Sequence, residues 1–326
     1  MVKVGVVGLG VMGQHHARVY SQLECELVGV VDADIDKART VGDHYGVPYY
    51  ADHTELVSRV DAVSVVVPTS LHRKVAMDFL SKGVHCLVEK PIASQLEDAE
   101  EMRRVAQATH AKLAVGHIER FNPAVTRLKE IIDEGILGEI MIISTRRVGP
   151  FARRIRDVGI IVDSASHDID VARYLVGKEP ITTFARSGRL MHATQEDHAV
   201  IVLDFGSSMA SIEVNWFTPH KVRSLVATGS MGIAYLDYIE QRLTIHHWGK
   251  EWHVPVQKTE PLKLELEHFL RCAQNGEQPL VDGHEGIRVL ELCLAAARQP
   301  KLQTKIAGDG ATAQPIVGQE EAHVSR

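Results

Sequence analysis

The chain has 326 residues, a formal net charge of −6, 45% hydrophobic and 24% charged residues, which suffices for two domains with separate cores. This balance excludes a wholly disordered chain, and the acidic sum argues against general nucleic-acid binding, which depends on Lys and Arg against phosphates. Cys25, Cys86, Cys272 and Cys293 lack metal or redox spacing and read as reduced core residues of a cytoplasmic protein, and neither an export signal nor an apolar run of roughly 18 residues, as a membrane span needs, is expected.

From the N-terminus, Val-rich runs of strand length alternate with amphipathic stretches. The runs are VKVGVVG (2–8), ELVGVVD (26–32), VPYYA (47–51), DAVSVVVP (61–68), HCLVEKP (85–91) and KLAVGH (112–117). Nearly continuous apolar runs are buried on both faces, and helix-length crossovers demand parallel pairing, so a doubly wound parallel sheet is expected. LEDAEEMRRVAQATH (96–110) has acids before bases, the order a helix dipole favours. Asn122 suits an N-cap and Pro123 a first turn, which predicts a helix over PAVTRLKEIIDEG stopped by Gly135. Beyond it, IMIISTRRV, DHAVIVLDF, MASIEVNWF, VRSLVATG, GIAYLDY and RLTIHHW alternate polar with apolar and predict a mostly antiparallel, open-faced sheet. Its Val, Ile, Trp and Phe side chains would pack against another subunit, giving a homodimer or homotetramer. Two helices follow, KLELEHFLRCAQ and HEGIRVLELCLAAAR, and residues 307–326 lack periodicity and read as a mobile tail.

Gly8, Gly10 and Gly13 form GLGVMG between the first strand and a helical segment. Gly8 permits the turn, Gly10 lets backbone approach a pyrophosphate near Val11 and Met12, and Gly13 allows helix–strand packing. Asp32 ends the second strand, where a carboxylate can hold a ribose diol. Together these predict a Rossmann domain over 1–122 and an α+β substrate and oligomerisation domain over 123–306. Asp32, Asp34 and Asp36 crowd the place of a 2′-phosphate, which favours NAD over NADP, although Arg39 is near. His15 and His16 read as ordinary helix residues.

Ligands of open parallel sheets collect beyond the carboxyl ends of the strands. Pro68, Thr69 and His72, then Glu89, Lys90 and Pro91, then His117 stand there and should rim the cofactor. In DSASHDIDVARYL (163–175), a helix would put Asp163, His167 and Asp170 on one face, an imidazole between two carboxylates able to move a proton. Asp170 reads equally as a capping or supporting residue. No third and fourth ligand at metal spacing accompanies them.

The glycine motif, the EKP at 89–91 and the downstream Asp and His resemble the glucose-fructose oxidoreductase, inositol dehydrogenase and MocA (Gfo/Idh/MocA) family over almost the whole chain. The resemblance implies that Lys90 lies beside the nicotinamide and the substrate hydroxyl, and that Asp163 and His167 share the substrate pocket. A positive ring and partial burial favour the neutral amine, so Lys90 could carry a proton, with Glu89 orienting its loop or pairing with it. The glycine that the family often writes between the Asp and the His is absent here, where Ser164, Ala165 and Ser166 stand. GHIERFNPAV (116–125) resembles UDP-N-acetylglucosamine 3-dehydrogenases, which implies Arg120 and Asn122 at the substrate cleft. RRVGPFARRIR (146–156) concentrates Arg146, Arg147, Arg153, Arg154 and Arg156, and guanidinium forks match a diphosphate; Arg146 and Arg153 are the named candidates. The expected function is NAD-dependent oxidation of a sugar ring hydroxyl, with a UDP-sugar as substrate, a downstream aminotransferase as partner and Lys90, His167 and Asp163 as catalytic groups. A free-sugar or inositol dehydrogenase and a noncatalytic NAD-binding regulator are the alternatives.

Overall fold

The structure is a computed structural model that describes residues 1–151 and 158–302. Arg153, Arg154 and Arg156 lie outside the described residues, as does 307–326.

The N-terminal runs form β1 (Lys3–Val7), β2 (Glu26–Val31), β3 (Tyr49–Tyr50), β4 (Ala62–Val65), β5 (His85–Glu89) and β6 (Leu113–Gly116), joined by helices α1 (Val11–Tyr20), α2 (Ile35–Tyr45), α3 (His72–Leu80) and α4 (Leu96–Thr109). All pair in parallel in the order β3-β2-β1-β4-β5-β6. The order reverses between β1 and β4, and side chains at the carboxyl ends of these strands flank that crevice. In α4 the arginines sit mid-helix and the last turn holds no base, so the dipole argument is met by Glu97 and Asp98 alone.

Asn122 caps α5 (Pro123–Asp133) by accepting from the Ala124 N–H at 3.1 Å, and Gly135 follows at φ +73°. The second sheet begins at β7 (Ile140–Val148). A π-helical turn, Ile161–Ala165, leads into α6 (Ser166–Val176), after which come β8 (Thr182–Gly188), β9 (His198–Asp204), β10 (Met209–Asn215), β11 (Val222–Gly229), β12 (Gly232–Asp237), β13 (Arg242–His247) and β14 (Lys250–Val254). Among the described residues these make an eight-stranded sheet ordered β14-β13-β12-β11-β7-β10-β9-β8. It is antiparallel except where β10 runs parallel to β7, a pairing that the alternation of side chains cannot specify. Strands β8 and β14 escape the pattern because TTFARSG is charged and Gly-ended and KEWHV buries only Val254.

Helices α7 (Pro261–Asn275) and α8 (Gly283–Ala297) return to the first sheet. Leu262, Leu266 and Phe269 of α7 share a core with Val4, Val6 and Tyr20, and Ile287 and Leu290 of α8 share one with Val88, Met102 and Leu113. The backbone of Val281 accepts from the Val115 N–H at 2.9 Å, closing the β6 edge. α6 packs on the inner face of the second sheet, so the carboxyl end of β5 and the start of α6 face one cleft.

Candidate active site

Gly8 has φ +93°, and a Cβ there would lie 2.5 Å from the Val66 carbonyl oxygen. At Gly13 a Cβ would meet the Gly8 carbonyl oxygen at 1.8 Å, whereas Gly10 opens onto free space. No side chain caps α1, so the N–H groups around Val11 and Met12 lack a side-chain acceptor, as an anion-binding helix end requires. A cavity of about 810 Å³ adjoins this turn, lined in part by Gly8, Gly10, Asp32, Lys37, Pro68 and Lys74, a size that suits a nucleotide. Asp32 accepts from the Leu9 N–H at 2.8 Å and the Asp34 N–H at 3.0 Å, and Lys37 Nζ lies 3.2 Å from both its oxygens. Arg39 is turned to Asp36 and stands over Tyr49, away from that lining.

Beyond β5, Lys90 Nζ donates to the Asp163 backbone oxygen at 2.6 Å and to its Oδ1 at 3.2 Å. The Asp163 oxygen that receives Lys90 lies within the π-helical turn Ile161–Ala165. The Lys90–Pro91 peptide is cis. Glu89 does not pair with the Lys90 ammonium: its Oε2 accepts from the Lys90 backbone N–H at 3.2 Å, and its Oε1 lies 3.1 Å from His16 Nε2. His16 Nδ1 meets Ser64 Oγ at 3.0 Å, which in turn meets Tyr20 OH at 2.8 Å. His16 is therefore no ordinary helix residue. It is fully buried and joins the phosphate-loop helix to the Lys90 loop, a role that helical spacing alone does not reveal. Burial pushes the Glu89 carboxyl up, but the His16 bond and the neighbouring Lys90 outweigh it and hold the group below its ordinary value. Glu265 of α7 is buried with neither oxygen hydrogen-bonded, and burial, with Glu89 nearby, pushes its carboxyl well above its ordinary pKa.

His72 is buried and spans two loops, Nδ1 at 3.0 Å from the Pro91 oxygen and Nε2 at 2.9 Å from the Val67 oxygen. It positions the rim; its ring nitrogens are engaged by backbone. Thr69 opens a short 3-10 turn after Pro68. His117 is buried with Nδ1 unpartnered, and burial holds its pKa below the usual value.

The arrangement of α6 departs from the expected carboxylate–imidazole–carboxylate unit. The π-helical turn breaks the regular spacing: Asp163 serves Lys90 and Ser164, while Asp170 takes Arg120 Nε at 2.8 Å. His167 Nδ1 is buried without a partner, and burial, then Lys90 and Arg147, hold the ring well below its ordinary pKa. It stands as a neutral imidazole among cations, able to accept a proton but not oriented by an acid.

Arg120 and Asn122, expected at the substrate cleft, are engaged by protein groups in this structure. Arg120 is 4% exposed and bound to Asp170, Glu285 and the Leu280 oxygen, and Asn122 is spent on capping α5 and on the Tyr238 oxygen at 3.1 Å. Arg146 lies on the outer sheet face, 3.1 Å from Glu213. Its neighbour Arg147 points inward to Asp168 at 2.6 Å and Glu119 at 2.9 Å, so strand alternation separates two arginines that look alike in sequence.

Residues 2–117 match the family model described as oxidoreductase family, NAD-binding Rossmann fold, and 125–235 match the GFO/IDH/MocA C-terminal domain. The chain belongs to the Gfo/Idh/MocA family. It is 30% identical to the UDP-N-acetylglucosamine 3-dehydrogenase of Acidithiobacillus ferrooxidans over 90% of this chain and 95% of that one. It is 32% identical to the scyllo-inositol 2-dehydrogenase (NAD(+)) of Bacillus subtilis over 90% of this chain and 93% of that one. A solved structure of the Acidithiobacillus enzyme superposes with a TM-score of 0.85 over 90% of this chain and 95% of that chain. As a Gfo/Idh/MocA member the chain is an NAD(P)-dependent oxidoreductase acting on a CH–OH group of a sugar or inositol.

Proposed function

We propose that the protein oxidises a ring hydroxyl of a nucleotide sugar, O3 of UDP-N-acetylglucosamine, with NAD. The observation that carries this reading is the joining of Lys90 to Asp163 beside a neutral His167, at the strand ends where the dinucleotide fold collects its ligands. A bound nicotinamide supplies the hydride acceptor. Asp163 holds the Lys90 ammonium toward the cleft, where it can donate to the developing alkoxide while His167 accepts the hydroxyl proton; alternatively Lys90, as the neutral amine, takes that proton itself. The His16–Glu89 link fixes the backbone that presents Lys90.

NAD is the proposed dinucleotide because Asp32 sits where a 2′-phosphate would be repelled, with its oxygens oriented by the Leu9 and Asp34 N–H groups. The choice of UDP-N-acetylglucosamine is supported by likeness to the Acidithiobacillus enzyme and by the GHIERFNPAV segment. The similar identity to the Bacillus enzyme favours a second reading, oxidation of free inositol. Cytoplasmic operation, a homo-oligomer built through the second sheet, and an aminotransferase consuming the keto sugar complete the proposal.

The test is NADH absorbance on adding NAD with UDP-N-acetylglucosamine or with scyllo- or myo-inositol, each with a carbonyl trap to draw the equilibrium forward. Turnover of the UDP-sugar with little inositol oxidation is the expected result. The reverse preference replaces the first reading with the second, and NAD binding without turnover of any sugar favours a noncatalytic regulator.

A further inference from the structure

Two arginines face each other on the inner side of the second sheet, since Arg147 of β7 and Arg223 of β11 are register partners. Their surroundings differ. Arg147 has Asp168 at 2.6 Å and Glu119 at 2.9 Å. Arg223 Nη1 reaches only the Val148 and Val222 backbone oxygens, both at 3.3 Å, and among the described residues no carboxylate stands within ion-pair distance of it. These are long contacts for a charged donor, and Nε and Nη2 make none.

Arg147, the register partner of Arg223, holds Asp168, the residue that follows His167 in α6, so Arg223 lies on the sheet face that carries α6. Arg223 is half-buried, burial and Arg147 hold it below its ordinary pKa, and its charge helps keep His167 neutral. Glu119, Asp163 and Asp168 also act on it, but Asp168 and Glu119 are bound to Arg147, and Asp163 is bound to Lys90. A second observation points to a ligand. Thr145 Oγ1, Tyr238 OH and His167 Nδ1 are buried polar atoms without hydrogen-bond partners. Tyr238 lies against Arg147, whose guanidinium is 5.1 Å from its ring centre, and its N–H donates to the Arg223 oxygen at 3.1 Å. Thr145 lies two residues from Arg147 on β7 and Tyr238 packs on Arg147, so unsatisfied polar atoms share the inner sheet face with an arginine lacking an acid, and buried polar groups are ordinarily satisfied, here by polar oxygens that would arrive with the substrate.

We propose that Arg223 recognises an anionic oxygen of the substrate, phosphate or carboxylate, and thereby sets a preference for anionic over neutral sugars; this rests on the dehydrogenase reading above. Its planar fork can grip two oxygens of one such group, which an ammonium cannot do as well. The proposal gives the inner face of β11 a substrate-selecting role that the Arg-rich segment before α6 suggests for residues 146–156.

The experiment measures binding to the NAD-loaded full chain of two matched pairs: UDP-N-acetylglucosamine against N-acetylglucosamine, and glucuronate against glucose. Wild type should bind one anionic member about tenfold or more tighter than its neutral partner, a size typical of one charge-assisted contact. The pair that shows the difference identifies phosphate or carboxylate as the source. Arg223→Gln should erase the difference while NAD affinity stays unchanged, and Arg223→Lys should restore part of it. Thermal melts of both variants establish folding; should the Gln variant fail to fold, the Lys variant carries the test, with the anionic preference falling at least severalfold. No anionic preference in wild type, or a preference undiminished in folded variants, overturns the proposal. Anion binding that depends on Arg223 without NADH formation from the UDP-sugar would retain this site and refute the substrate assigned above.

Discussion

Lys90 and Arg120 are both shielded cations with carboxylate partners, and their environments assign them opposite roles. Lys90 is bound at the cleft by a main-chain oxygen and one carboxylate oxygen, whereas Arg120 is enclosed by Asp170 and Glu285. Lys90→Ala should lower kcat by about a hundredfold or more, the scale of general acid–base loss, with the NAD dissociation constant nearly unchanged; stopped-flow NADH formation and NAD titration check this. Arg120→Ala should instead leave Asp170 buried and unpaired and cost about 3–5 kcal/mol of stability, read by denaturant unfolding, with little change in KM for protein that remains folded. A buried histidine adds a pH signature. Burial holds His117 below its ordinary pKa, so the folded protein keeps it neutral while the unfolded chain gains a proton as pH falls below about 6.5. Its contribution to stability is complete above that pH and is lost below it, at up to about 1.4 kcal/mol per pH unit. Melting temperatures from pH 7.5 to 5.5 should fall, and His117→Asn should fall less steeply.

At the scale of elements, the phosphate turn was legible because its chemistry depends on backbone. Glycine spacing and a following acid state the requirement directly, and the close approach of Gly13 to the Gly8 oxygen is its physical cause. Gly13→Ala should weaken NAD binding by about tenfold or more, since strand and helix must separate to admit a methyl group. Fluorescence titration with NAD, alongside circular dichroism, separates that loss from unfolding. Strand runs such as IMIISTRRV were equally plain, because β7 spans the same residues, Ile140–Val148. What periodicity could not show was the π-helical turn at Ile161–Ala165, which moves Asp163 off the face expected to be shared with His167 and Asp170. Nor could it show the His16–Glu89 bond or the register of Arg223 with Arg147, since both join segments far apart in sequence and depend on which side of an element meets which neighbour. The bonds of Arg120 to Asp170 and of Asn122 to the Tyr238 oxygen were hidden for the same reason, since polar residues at a domain junction can face a cleft or bond across the junction.

For the whole molecule, the outer face of the second sheet is the largest unanswered surface. In register across it run Phe184, Val202, Ser211, Ser144, Val226 and Tyr235, and Phe184 and Tyr235 are exposed by 57% and 45%. Apolar side chains on either side of a central serine pair on an open sheet face suit a two-fold contact with a second copy. Light scattering on a sizing column should give a dimer or tetramer, and Phe184→Glu with Tyr235→Glu should shift it toward the monomer while the melting transition remains cooperative; a monomeric parent would overturn the expectation. A different consequence follows from α7 and α8, whose apolar sides complete the cores around β1 and β6. A fragment ending at residue 122 would leave the partners of Leu266, Phe269 and Ile287 bare to water and should precipitate when expressed alone, yet regain solubility when the remaining polypeptide is supplied in trans. Nucleotide capture by the first sheet thus depends on synthesis of the chain through α7 and α8, as far as Ala297.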